Sequence, residues 1–234
     1  MNNINTKRLL KDIKDLDTNN MKSHGIHYCI NDDDIHNLKV LMIGPEKTPY
    51  EYGFYLFDVK IPEDYPFKPP IVKYCTQNHK TRFNPNLYIN GKVCLSILNT
   101  WAGPQWTSCN NISSVLLSIQ SMVFISNPLH NEPGFENDKS LRNKNYNILV
   151  TYENFNTAIY SILFKIPTSF DYFIPIINKS FIDNYENIIK KIEQNSIYNN
   201  KLIDCSIYSM KDTILYDNVK TKLINFYNNI IKNN

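Results

Sequence analysis

Cys94 is the residue of this chain best suited to covalent chemistry, and it lies in a stretch without regular periodicity, Gly91-Lys92-Val93-Cys94-Leu95-Ser96-Ile97-Leu98. It falls eight residues beyond Asn86 of Arg82-Phe83-Asn84-Pro85-Asn86. A thiol accepts an acyl group and also releases it, because the thioester is energy-rich. A side-chain amide such as that of Asn86 is a neutral donor that could stabilise the tetrahedral oxyanion formed when an amine attacks that thioester. Taken singly, each residue has a plainer reading: a lone thiol behaves as a small hydrophobe, and Pro-Asn is ordinary turn chemistry. A cysteine hydrolase would need a histidine to deprotonate Cys94 and an orienting Asn or Asp, and no histidine lies in this region.

Metal chemistry finds no support in the residue pattern. The five cysteines (Cys29, Cys75, Cys94, Cys109, Cys205) form no CxxC pair, and His24, His27, His36 and His79 lack ligand-like spacing. Their odd number and wide spread argue against a disulfide framework and favour a reducing compartment, cytosol or nucleus. With 25 basic and 22 acidic residues the net charge is +3, and no Lys/Arg run suited to phosphate neutralisation occurs, so nucleic acid is not an expected partner. The first twenty residues lack an apolar signal core, and no apolar run reaches the ~18 residues of a membrane span.

The elements that must position Cys94 read as α+β. Leu9, Ile13 and Leu16 form an apolar stripe that predicts a helix over about residues 4–16. Period-two alternation through Leu38, Val40 and Met42, and through Phe57, Val59 and Ile61, predicts strands between residues 25 and 74. These are separated by turn chemistry at Asn31-Asp32-Asp33-Asp34 and Gly44-Pro45, and an antiparallel meander of about four strands fits. Pro62, Pro66, Pro69 and Pro70 remove backbone donors before a last short strand near residues 71–74. After the irregular stretch of residues 83–109, helical spacing returns behind a cap at Asn110 or Asn111, with Ile112, Val115, Leu116, Ile119 and Val123. It recurs around Tyr152 to Ile162, Phe181 to Ile192 and Leu215 to Ile230. Pro167 suggests a boundary between a core, residues 1–166, and a helical C-terminal extension, residues 167–234.

Taken in order, Tyr65-Pro66-Phe67-Lys68-Pro69-Pro70, Asn84-Pro85-Asn86, Cys94 within Gly-x-x-Cys-Leu-x-Ile-Leu, and Trp106 resemble the catalytic fold of ubiquitin-conjugating enzymes. The resemblance covers roughly residues 4–163. Asn84-Pro85-Asn86-Leu87-Tyr88, Asn99-Thr100-Trp101-Ala102-Gly103-Pro104 and His130-Asn131-Glu132-Pro133-Gly134-Phe135 look like the subgroup with extended C-termini, which includes the animal conjugating enzyme Z. Two departures stand out. Asn84 replaces the usual first-motif His, as in that subgroup, and Trp106-Thr107-Ser108-Cys109 replaces the common Trp-Ser-Pro-Ala, which leaves the choice of ligase open.

The resemblance implies that Cys94 carries the C-terminus of ubiquitin or a ubiquitin-like protein as a thioester and that Asn86 stabilises the oxyanion during lysine attack. It implies a gate at His130 and Asn131, with Glu132 a weaker member, although a lone loop histidine is more often simply solvated. Partners follow in the same way: an activating enzyme docking on Lys7, Arg8 and Lys11 with nearby Lys14, a ligase contacting Phe67, and substrate lysines. A solvated helix face is the plain reading of the basic cluster. No cofactor is implied, since ATP is used by the activating enzyme. Trp101 and Trp106 read first as anchors of an irregular loop, and the stripes of the extension as packed faces. A non-catalytic binding module of the same fold is the alternative, against which the retention of Cys94 and Asn86 weighs.

Overall fold

A computed structural model describes residues 2–31 and 33–233 and the side chains of residues 5–30 and 33–232; Asp32 of the predicted turn lies outside the described residues. The chain opens with helix α1, Asn2–Thr18, in which Leu9 and Leu16 are buried and Ile13 packs against the core. Strands β1 (Ile26–Asn31), β2 (Asp34–Ile43), β3 (Phe54–Lys60) and β4 (Ile71–Tyr74) pair antiparallel in sequential order, with a register irregularity at Ile30/Asn31. Alternation is clean at β4, but β2 and β3 bury both faces at Leu41, Leu56 and Tyr55. Helices cover one side, and the segment Thr168–Phe173 reaches β2, where Lys39 lies 5.6 Å from the Phe170 ring.

Helix α2 spans Ile112–Met122 and is capped by Asn111, whose side chain accepts the Ser114 N–H at 2.8 Å. Helix α3, Leu141–Glu153, runs into a π-helical stretch, Asn154–Ser161, and a last turn α4, Ile162–Phe164. The wider turn lets buried Asn154 bridge to the sheet: its amide donates to Glu51 O at 2.9 Å, and its oxygen accepts the Tyr55 hydroxyl at 2.6 Å. Gly53 is required at this approach, because a Cβ there would sit 2.0 Å from Asn154 Oδ1. Below it, Tyr50, Tyr55, Phe83 and Phe124 form edge-on and tilted ring pairs with centroids 4.7–6.0 Å apart.

The extension contains α5 (Ile174–Gln194) and α6 (Tyr216–Asn233), but it is not helical throughout. An antiparallel hairpin, β5 (Leu202–Cys205) with β6 (Met210–Thr213), lies between them and packs on α3. The expected stripes are packed faces: Ile177, Phe181, Ile188 and Ile192 of α5 and Val219 and Leu223 of α6 are buried. The core runs on across Pro167 without a break, since Tyr216 packs edge-on against Tyr152 and Phe155. Among the described residues no helix is long and apolar enough to cross a membrane.

Candidate active site

The irregular stretch around Cys94 is rigidly tied. A tight reversal, in which Tyr88 N donates to Lys92 O and Gly91 N to Tyr88 O, brings the chain back along Asn84–Leu87. Gly91 has φ 93° and passes so close to β4 that a Cβ would come within 2.9 Å of Tyr74 O. The reversal sets Cys94 beside Asn86: Cys94 N donates to Asn86 O at 2.9 Å, and Asn86 Nδ2 donates to Cys94 O at 2.6 Å.

Asn86 is fixed in turn by Asn84, which is fully buried. Asn84 Oδ1 accepts Asn86 N at 2.8 Å, while its amide donates to Val123 O at 2.8 Å and to the Tyr50 hydroxyl at 3.1 Å. Neutral Asn suits this site, because it accepts from one loop while donating to another.

On the far flank a short 3₁₀ turn, Ser96–Leu98, follows the cysteine. Thr100 Oγ1 accepts Leu95 N at 2.9 Å and lies 3.0 Å from Val93 O, so one hydroxyl holds both neighbours of Cys94. The Cys94 side chain is nearly covered, at 3% exposure, and its Sγ donates to Thr100 O at 2.8 Å. Thr100 was part of a recognisable motif, but nothing in its residue type marked it as the clamp. Beside Val93 and Thr100 runs a groove of about 360 Å³, lined also by Pro70, Ile71, Lys73 and Lys92.

The two residues expected to form a gate have different surroundings. Asn131 joins the site: its amide donates to Met122 O at 2.7 Å and to Asn84 Oδ1 at 3.3 Å. His130 turns toward α3, with Nε2 3.2 Å from Asp138 O and 3.4 Å from Asn143 Nδ2. Glu132 accepts a hydrogen bond from the Tyr208 hydroxyl of the extension.

Phe67 stands clear of the surface at 73% exposure, beside the cis Tyr65–Pro66 bond. Trp106 is the anchor of that neighbourhood, buried with its indole N–H donating to Pro66 O at 2.7 Å, whereas Trp101 is half exposed. Lys7, Lys11 and Lys14 are exposed on α1. Arg8 is engaged within the chain: it pairs with buried Asp12 at 2.9 Å and donates to Ser108 O at 2.9 Å and Asn110 O at 2.7 Å. That fork ties α1 to the segment before α2, so Arg8 differs from its lysine neighbours. Tyr65 also donates to Asp12, and burial, then the bond to that carboxylate, raises its hydroxyl pKa well above the usual phenol range. Among the described residues no group of three or more His, Cys, Asp or Glu is placed to hold a metal ion.

An N-terminal helix, a four-stranded meander and a cysteine held by an Asn-Pro-Asn turn define the ubiquitin-conjugating class, and the family model described as ubiquitin-conjugating enzyme matches residues 8–167. The chain belongs to that family. Within it, the chain is similar to ubiquitin-conjugating enzyme E2 Z of Danio rerio, 46% identical over 155 residues that cover 65% of this chain and 47% of the relative. The Homo sapiens protein of the same name is 46% identical over 156 residues, covering 65% of this chain and 44% of the relative. The matched region thus spans about half the length of these curated relatives. Among solved structures, the E2 domain of a Toxoplasma gondii ubiquitin conjugating enzyme aligns with a TM-score of 0.50 at 30% identity, covering 65% of this chain and 98% of that one.

Proposed function

We propose that this protein accepts ubiquitin or a ubiquitin-like protein from an activating enzyme as a thioester on Cys94 and transfers it to substrate lysines. The observation that carries the reading is the reciprocal bonding of Asn86 and Cys94, which places a neutral amide donor on the same rigid turn as the thiol. Transthiolation exchanges one thiolate for another, so no strong base need stand beside Cys94, and the turn of His130 toward α3 is compatible with that chemistry. The groove beside Val93 and Thr100 is walled by apolar Pro70 and Ile71 and offers a place for an extended acyl tail next to the thiol. Phe67 offers an apolar contact for a ligase, and the exposed lysines of α1 a basic face for the activating enzyme. No nucleotide site is required in this chain, because ATP is consumed by the activating partner.

The near-complete cover over Cys94 and its bond to Thr100 O favour one other reading, a binding module of the same fold in which this thiol is structural. Incubation with ubiquitin, ATP and a panel of activating enzymes separates the two. The proposal expects a band shifted by one modifier that thiol removes, absent in Cys94→Ala and thiol-resistant in Cys94→Ser. A folded protein that forms no adduct with any modifier in the panel is instead a binding module.

A further inference from the structure

The hairpin of the extension places one aromatic residue against both loops that hold Asn86. Tyr208 lies in the turn between β5 and β6, where it and Ser209 adopt left-handed backbone, φ 56° and 52°. Such angles are uncommon for residues with a Cβ, and they persist only where the surroundings enforce them.

Two arms run from Tyr208 to the Asn-Pro-Asn turn. In the first, its ring lies 4.0 Å from the Arg82 guanidinium carbon, which is also 3.8 Å from the Tyr88 ring. Two rings cannot share one face of a planar guanidinium at those distances, so Arg82 is clasped. Its Nη2 donates to Pro85 O at 2.6 Å, one residue before Asn86. Met210 of β6 reinforces this arm, its Sδ accepting Arg82 N at 3.2 Å, and Tyr146 Oη donates to Arg82 O at 2.5 Å. In the second arm the Tyr208 hydroxyl donates to Glu132, which follows Asn131 in the chain. Asn131 bonds Asn84 Oδ1, the same oxygen that holds Asn86 N. Burial, then the bond to Glu132, pushes the Tyr208 pKa well above the ordinary phenol value, so the hydroxyl remains a donor at working pH.

We infer that Tyr208 is a positioning residue for acyl transfer at Cys94, through which the C-terminal hairpin fixes Asn86 from two sides. The inference rests on the function proposed above. It assigns the extension a part in the chemistry as well as in the packing. A small displacement of a preorganised donor is costly to rate even when the fold survives.

The test compares wild type with Tyr208→Ala and Tyr208→Phe, with Lys211→Ala in an exposed hairpin ion pair as control. After charging, discharge to free lysine is followed in single turnovers across lysine concentrations. Tyr208→Ala is expected to lose about ten-fold or more in the maximal discharge rate, with charging and the KM for lysine within about two-fold. Tyr208→Phe, which keeps the ring over Arg82 and loses only the bond to Glu132, is expected to lose about three-fold, and this variant decides the question if the alanine variant does not fold. Wild-type discharge in both variants overturns the inference, as does a parallel fall in charging and discharge, which would mark a merely structural role. Amide hydrogen exchange at Asn86 and Cys94 gives a readout that needs no activating enzyme: about ten-fold acceleration is expected in Tyr208→Ala and none in Lys211→Ala. If wild type cannot be charged at all, the proposed function falls, while unchanged exchange at those two amides would still refute the positioning link.

Discussion

The Asn86 side-chain amide donates to the Cys94 carbonyl at 2.6 Å while the Cys94 N–H donates back to the Asn86 carbonyl at 2.9 Å. An amide NH₂ carries two hydrogens, so one can hold the loop while the other serves a developing oxyanion. Structural and catalytic roles are therefore compatible in one side chain, and they separate by magnitude.

Asn86→Ala removes one hydrogen bond from a partly exposed turn, which costs about 1 kcal/mol of stability. If the amide also stabilises the oxyanion, lysine discharge falls by about 10²–10³-fold while charging persists. Asn86→Asp keeps the shape but sets a carboxylate oxygen against the Cys94 carbonyl, and the same loss is expected. Single-turnover discharge from pre-charged protein measures this; an unchanged rate in Asn86→Ala would leave the residue a purely structural role.

Arg8 and its lysine neighbours are expected to part company. Arg8→Ala leaves Asp12, 3% exposed, without its cation and frees two carbonyls, Ser108 O and Asn110 O. Breaking a buried pair costs about 3–5 kcal/mol, and the partial exposure of the Arg8 side chain, 27%, places this site at or below the lower end. Lys7→Ala and Lys11→Ala should shift urea midpoints by less than about 0.5 kcal/mol equivalent and act on the rate of charging by the activating enzyme instead. Equal stability losses in all three would refute the distinction.

The same contrast explains what the sequence could disclose. The closeness of Cys94 and Asn86 is legible because their spacing is set locally by one reversal and sits within a specific run of residues. Arg8 was not separable from Lys7 and Lys11, because its carbonyl partners lie 100 and 102 residues away and belong to a loop without periodicity. The stripes of α1, α2, α5 and α6 announced themselves by helical spacing, whereas β5 and β6 span only four residues each and turn through Tyr208 and Ser209 with no glycine to mark the reversal. Thr100 and Asn84 work through backbone carbonyls and amides, which no side-chain pattern encodes.

Glu153 gives the fold a pH dependence of defined sign. Burial, only partly offset by hydrogen bonds from Thr157 and Asn156, raises its pKa above the usual carboxylate range, and Asp212 of the extension adds to the rise. The folded state therefore keeps this proton at pH values where the unfolded chain has lost it, so stability falls as pH rises from the ordinary glutamate range to the raised value. Glu153→Gln stays neutral and still accepts the Thr157 hydroxyl. Its stability relative to wild type should grow as pH rises from the ordinary glutamate range toward the raised value, as read from urea midpoints. Parallel curves would mean that Glu153 ionises without penalty.

Removal of the extension should unfold part of the core and not release a working enzyme. A chain ending at residue 166 loses Lys191, the cation paired with Glu51, whose side chain is only 8% exposed. It also uncovers Tyr152 and Phe155, which are covered by Tyr216, and Arg82, which is clasped by Tyr208. Each large apolar side chain returned to water costs about 1.5–3 kcal/mol, against a total stability of about 5–15 kcal/mol for an ordinary domain. The full chain is accordingly expected to unfold in a single cooperative transition that coincides for tryptophan fluorescence, which reports the loop after Cys94 through Trp101 and Trp106, and for far-ultraviolet dichroism, which is dominated by the helices. The shortened chain should show a lower midpoint or aggregate. Two separated transitions in the full chain, or a shortened chain as stable as the whole, would make the extension an independent lobe and remove the physical basis for its hold on Asn86.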